Sequence, residues 1–245
     1  MPSSAYSSSN RVRELFDRIA PEYDRLNTLL SLGLHRVWKS MAVKWTEPAL
    51  GDEALDICCG SGDLGLLMAR EVGPSGHVTG IDISENLLMI ARRRAKLSLQ
   101  ERSTSWVCGD ALQLPFESDR FDAVTMGYGL RNVVDIPQAL QELWRVLKPG
   151  AKASVLDFQH LENGDSPTLA ERFQQVYLES IVVPAAAALG LQQEYEYIQA
   201  SLLAFPTSAE QHRLAEAAGF PDPIYFDIAG GLMGVLVLQK PALSI

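Results

Sequence analysis

With 245 residues, 47% of them hydrophobic and 21% charged, the chain suits one large α/β domain, and no stretch approaches the roughly 20 apolar residues that would cross a bilayer. A formal net charge of −9 and a pI near 5.0 argue against a nucleic-acid partner, which would ask for a basic face. Three cysteines, two of them adjacent (Cys58, Cys59), cannot build a disulfide framework and point to a reducing compartment.

The Ser-rich start, residues 1–10, lacks the apolar centre of a secretion signal and reads as a disordered lead-in. Val12, Leu15, Phe16 and Ile19 then recur at helical spacing until Pro21 stops the helix. A second helical segment runs from Leu26 to Trp45, interrupted at Ser31-Leu32-Gly33. Its polar residues (Asn27, and His35-Arg36 beside Trp38-Lys39), with Tyr23-Asp24 just before it, are unusual for plain scaffold. Residues 11–46 are therefore expected to form a helical lid over the site. From Glu53 onward strand and helix alternate, which predicts a parallel sheet covered on both faces. The strands are Glu53–Cys58, His77–Ile83, Thr104–Cys108, Phe121–Met126 and Lys152–Phe158. Between them lie helices Leu64–Val72, Glu85–Leu99 with Ser84 as N-cap, and Pro137–Leu147, which ends at the breaker Lys148-Pro149-Gly150. Arg92, Arg93, Arg94 and Lys96 spread around their helix and read as a solvated face. Thr168 to about Leu203 is helical, with a small-residue stretch at 184–190 that reads as a packing helix. Helix Ser208–Ala218 follows. The closing strands Ile224–Ile228 and Leu232–Gln239 are joined by so short a turn that an antiparallel pair is expected. Residues 11–245 thus read as a single domain, with a core at 53–158 and substrate-side helices and last strands at 167–245.

The organising stretch is E-A-L-D-I-C-C-G-S-G-D-L-G (53–65): strand, glycine turn, helix. Glycines there let the backbone approach a ligand closely, and the helix that follows begins with unpaired N–H groups. Gly60, Gly62 and Gly65 also satisfy G-x-G-x-x-G, so the turn alone cannot separate a dinucleotide site from an S-adenosylmethionine site. Asp82, at the end of the second strand and about twenty residues on, is placed for an adenosine ribose, which both ligands share. Three features favour the methyl donor. Asp56 within the motif suits its ammonium end and would repel a pyrophosphate. Asp110, after the third strand, can accept from the adenine amino group. The closing antiparallel pair is foreign to most dinucleotide folds.

The residues also resemble a known family, the C-methyltransferases of ubiquinone and menaquinone biosynthesis. The resemblance spans roughly residues 11–240. It rests on V-R-E-L-F-D-R-I-A-P-E-Y-D-R-L-N with S-L-G-L-H-R-V-W-K (12–39), L-D-I-C-C-G-S-G-D-L (55–64), D-A-L-Q-L-P-F (110–116), F-D-A-V-T-M-G-Y-G-L-R-N-V (121–133) and R-V-L-K-P-G (145–150). The ending A-G-G-L-M-G-V-L-V (229–237) looks most like the branch that makes phylloquinone. Cys58 departs from the broad pattern D-x-G-x-G-x-G by replacing its first glycine.

The resemblance implies a doubly wound, seven-strand, mostly parallel sheet of the Rossmann-like class I methyltransferases. It implies S-adenosylmethionine as donor, S-adenosylhomocysteine as product, and C-methylation of a prenylated or phytylated demethylnaphthoquinol. Donor-site candidates are Asp56, Gly60, Ser61, Gly62, Asp82, Ile83, Asp110, Ala111 and Gly127. A quinone ring is electron-poor, so the reduced quinol is the expected nucleophile, with its hydroxyl ionised to enrich the ring carbon. The resemblance puts Tyr23, Arg131 and Asn132 at the substrate end. There Arg131 would stabilise the quinolate, directly or through water, and Asn132 and Tyr23 would hold the two ring oxygens. Asp24 and His35 are the alternative bases. The four histidines show no metal-ligand spacing, so no metal is expected. The reducing compartment reads as cytoplasmic, and a lipid-tailed substrate implies transient peripheral contact with a membrane. A homo-oligomer or a quinone-biosynthesis complex fits the resemblance equally. Rival readings are a benzoquinol C-methyltransferase, an O- or N-methyltransferase of a soluble molecule, a donor-binding assembly protein, and a dehydrogenase.

Overall fold

The computed structural model describes residues 9–20, 33–159, 197, 200–231 and 233–243. In chain order these form α1 (Ser9–Ile19), α2 (His35–Trp45), β1 (Glu53–Ile57), α3 (Asp63–Val72), β2 (His77–Asp82), α4 (Glu85–Leu97), β3 (Thr104–Cys108), β4 (Phe121–Gly127), α5 (Ile136–Val146), β5 (Leu147–Phe158), α6 (Ser208–Ala217), β6 (Ile224–Ile228) and β7 (Met233–Gln239). One seven-stranded sheet runs β3-β2-β1-β4-β5-β7-β6. Its first five strands are parallel, while β7 lies antiparallel to both β5 and β6. Strand order reverses at β1, which pairs with β2 on one side and β4 on the other. A crevice therefore opens beyond the carboxyl ends of these strands, where the connecting chains leave in opposite directions.

Alternation along the strands sorts side chains to the two faces. Leu55 and Ile57 of β1 join Val124, Met126 and Val155 under α5 residues Leu140 and Leu143. Ala54, Val78 and Leu156 face the opposite way, under α2 and α3 (Ala42, Val43, Leu64, Met68). Both faces of the central strands are covered, so β1, β2 and β4 bury nearly every residue, polar ones such as Asp56 and Thr125 included.

Ser84 caps α4 as expected, its hydroxyl accepting from the Leu87 N–H at 3.2 Å. β5 departs from expectation, since it runs through Lys148-Pro149-Gly150. Pairing with β4 jumps from Phe121↔Leu147 to Ala123↔Lys152, so residues 148–151 bulge out, with Gly150 at φ +85°. The Gly150 N–H donates to the Lys240 carbonyl at 2.8 Å. Neighbouring strands thus keep a local breaker inside the sheet.

The expected lid divides into two parts. α1, which starts at Ser9, sends Val12 and Phe16 over the crevice. α2 instead covers the sheet, burying Ala42 and Val43 and accepting at the Ala42 carbonyl from Ser154 Oγ at 2.8 Å. Residues 21–32 and most of the expected 168–203 helix lie outside the described residues.

Candidate active site

At the carboxyl edge lies a cleft with about 630 Å³ of free space, counted to its open mouth. Four strand ends supply its walls: Cys58 and Gly60 after β1, Asp82 and Ile83 at β2, Gly109 to Leu112 after β3, and Tyr128, Gly129 and Asn132 after β4. Lysine and arginine are absent from its described lining.

The glycine turn is left-handed at Cys58 (φ +54°), Gly60 (φ +53°) and Gly62 (φ +87°). Cys58 holds this conformation at a cost of about 1–2 kcal/mol, which the expected glycine would not incur. Its side chain sits where Gly129 has none: a Cβ on Gly129 would fall 2.5 Å from the Cys58 Cβ. Burial pushes both the Cys58 and Cys59 thiols well above their ordinary range. They stay protonated at neutral pH and act as small packing groups.

Asp82 closes the turn from the side. Its carboxylate accepts from the Gly60 N–H at 2.8 Å and the Ser84 N–H at 2.9 Å, and burial raises its pKa to about 6. Asp56 lies beneath the turn rather than on the cleft lining. It accepts from the Gly65 N–H at 2.8 Å and Thr125 Oγ1 at 2.9 Å, and burial raises its pKa to about 7. It thereby ties the first turn of α3 to β4. Ser61 is buried, its Oγ accepting from Arg94 at 2.9 Å. Arg94 also pairs with Asp63, whose other oxygen accepts from Lys39 Nζ at 2.6 Å. Burial would raise the Asp63 pKa, but Lys39 and Arg94 together bring it down to about 2. Arg94 is therefore turned onto the glycine loop, not spread on a solvated face.

Asp110 lines the cleft with one oxygen accepting from the Leu112 N–H at 3.0 Å, and Ala111 and Ile83 add apolar wall. Gly127 is not on the lining. Its missing side chain makes room for Leu64, which a Cβ would approach to 2.4 Å.

At the substrate end, Asn132 faces the cleft. Its amide donates to the Tyr128 carbonyl at 2.7 Å and accepts from the Tyr197 hydroxyl at 2.9 Å. Arg131 turns away from the cleft: it pairs with Asp157, and its guanidinium lies 5.7 Å from the Tyr128 ring centroid and 5.2 Å from that of Phe158. Tyr128, at φ +58°, stands between this guanidinium and the cleft. His35 is buried at the start of α2 and is not on the lining. Tyr23 and Asp24 lie outside the described residues.

Sequence reasoning missed Tyr128, Asp157 and Lys39. The first two sit at strand ends, where residues face the ligand crevice, and Gly-Tyr-Gly signalled an unusual backbone. Lys39 stood out only as a polar residue in the expected lid, and its partner Asp63 left no local signal.

The donor set suits an adenosine-bearing cation. Asp82 has lone pairs left for ribose hydroxyls, Asp110 stands against an apolar wall, and two carboxylates whose described neighbours on the lining include no lysine or arginine would repel a pyrophosphate. The fold and cleft together define an S-adenosylmethionine-dependent methyltransferase. The family model described as the ubiE/COQ5 methyltransferase family matches residues 4–240, and the chain belongs to that family. A 2-phytyl-1,4-naphtoquinone methyltransferase from Nostoc sp. is 54% identical over 95% of this chain and 100% of its own length. The chloroplastic 2-phytyl-1,4-beta-naphthoquinone methyltransferase of Arabidopsis thaliana is 47% identical over 95% of this chain and 88% of its own. Among solved structures, a SAM-dependent methyltransferase from Aquifex aeolicus superposes with a TM-score of 0.61 at 16% identity, covering 88% of this chain and 96% of its own. Phosphoethanolamine N-methyltransferase 2 of Haemonchus contortus, in complex with S-adenosylmethionine, gives 0.64 at 17%, covering 94% and 60%. Those two likenesses speak to the fold.

Proposed function

We propose that this enzyme methylates a ring carbon of a phytylated or prenylated demethylnaphthoquinol. The observation that carries this reading is the 54% identity, across 95% of the chain, to a 2-phytyl-1,4-naphtoquinone methyltransferase.

Bound S-adenosylmethionine supplies a methyl group made electrophilic by its sulfonium. The Asp82 carboxylate accepts from its ribose hydroxyls. Asp110, Ala111 and Ile83 hold the adenine. Gly60 provides close backbone approach, while Ser61, Gly62, Gly127 and Asp56 act from behind by setting the turn and the strand ends. Val12 and Phe16 of α1 exclude water from above. The quinol must reach the cleft reduced, because only an electron-rich ring carbon is a nucleophile. A free phenol has a pKa of about 10, so the site must favour the ionised form. Asn132, held from both sides, orients one ring oxygen. Arg131 stays protonated. Paired with Asp157, it acts as a positioning residue that fixes the Tyr128–Asn132 turn. On the resemblance alone, Tyr23 takes the second ring oxygen. The residues named require no metal. The phytyl or prenyl tail requires transient contact with a membrane surface. Among the described residues no helix is long and apolar enough to cross one.

The test is mass spectrometry of products formed from a panel of prenylated demethylnaphthoquinols, demethylbenzoquinols and soluble phenols with the methyl donor. Carbon methylation of the naphthoquinols is expected to dominate. Methyl ethers, or turnover confined to soluble phenols, would overturn the proposal.

A further inference from the structure

We infer that Trp106 is a positioning residue for the methyl-donor turn, an assignment that rests on the proposed donor site. Trp106 lies on β3, two strands away from β1, and is registered opposite Gly80 of the intervening β2. Because Gly80 carries no side chain, the indole can lie flat across β2. A Cβ on Gly80 would fall 2.4 Å from the indole Cε3 and 2.5 Å from Cζ3. The far edge of the ring reaches the turn itself. A Cβ on Gly62 would meet Cη2 at 2.7 Å, and one on Gly65 would meet it at 3.1 Å. Three glycines thus clear one path for a single ring. Two of them belong to the G-x-G-x-x-G coincidence, and at both the indole is the nearest neighbour, beside Ala91 and a left-handed backbone at Gly62 and beside Asp56 at Gly65.

The choice of indole is informative. Its Nε1 is buried without a hydrogen-bond partner among the described residues. Leucine or phenylalanine would fill the space nearest β3 without burying an N–H. What they lack is reach, because neither spans β2 to touch the turn. The ring therefore acts as a spacer setting the height of Gly62–Gly65 above the sheet, and with it Gly60 and the Asp82 carboxylate that bonds Gly60.

The test combines donor calorimetry, steady-state kinetics and thermal unfolding on Trp106→Leu, Trp106→Phe, Gly65→Ala and the double variant Gly65→Ala/Trp106→Leu. Trp106→Leu is expected to raise the donor Kd and KM about tenfold, with kcat at saturating donor within about twofold, since a displaced turn weakens binding of a correctly built site. Trp106→Phe should lie between it and the parent. Gly65→Ala alone should also weaken the donor, and the double variant should bind it more tightly than Gly65→Ala, because the new methyl occupies space the indole has left. A lowered Tm with unchanged donor Kd in Trp106→Phe overturns the inference, as do strictly additive losses in the double variant. If Trp106→Leu does not fold, Trp106→Phe carries the decision. No donor uptake by the unsubstituted protein would instead overturn the donor-site reading, and this inference with it.

Discussion

Two backbone amides, those of Gly60 and Ser84, point at the Asp82 carboxylate, and burial holds its pKa up at about 6. Accepting ribose hydroxyls needs the ionised form. Donor affinity is therefore expected to be level above about pH 7 and to fall as pH drops through about 6, approaching tenfold per unit. Calorimetry across that range checks this. Asp82→Asn should bind weakly and without the pH dependence, and an affinity indifferent to pH would remove Asp82 from the donor site. Arg131 behaves differently, because its partner Asp157 is buried with a side chain only 3% exposed. Removing the guanidinium strands that carboxylate, at a cost of about 3 kcal/mol or more. Arg131→Ala is expected to lower the urea midpoint and cut turnover severely while the donor Kd moves by less than about threefold. Normal turnover in that variant would withdraw Arg131 from the substrate end.

Helix α1 buries Val12 and Leu15 and also makes polar contacts with the start of α4. Ser84 Oγ, while capping α4, also donates to the Asp17 carboxylate at 2.6 Å, and Asn86 Nδ2 donates to the Asp17 carbonyl at 3.3 Å. Val12 and Phe16, on the same helix, cover the cleft. Asp17→Ala removes the acceptor of the buried Ser84 hydroxyl and should cost about 1 kcal/mol of stability, and it should speed donor dissociation severalfold in stopped-flow traces. Ser84→Ala removes the cap as well and should cost about 1 kcal/mol besides. Equal release rates in parent and Asp17→Ala protein would show that α1 does not govern the donor.

Buried carboxylates set the acid–base behaviour of the whole molecule. Asp56 and Asp82 have native pKa values of about 7 and about 6, against an ordinary 3.8. Between those limits the native state keeps protons that the unfolded chain has released. Stability is therefore full below about pH 4 on their account and declines as pH rises towards 7. Asp63, held down to about 2, acts in the opposite sense and only in stronger acid. Donor-free protein should thus show a higher urea midpoint near pH 5 than near pH 8, with Asp56→Asn flattening the difference. Saturating donor should restore part of the loss at pH 8, since it binds only the folded chain. A midpoint that rises with pH would mean that Asp56 and Asp82 are not the buried acids described.

The alternating strands, the glycine turn, the Ser84 cap, Asp82 and Asp110 were legible in the 245 residues because each follows from spacing along the chain or from position at a strand end. The family was legible for the same reason, its blocks being local. What tertiary structure alone decided is how distant side chains meet: Trp106 lying across Gly80 to the turn, Lys39 and Arg94 converging on Asp63, and Arg131 turning to Asp157 instead of the cleft. Such contacts depend on which strands are neighbours and how helices lie on them. Local periodicity does not encode that, and the strand order β3-β2-β1-β4-β5 does.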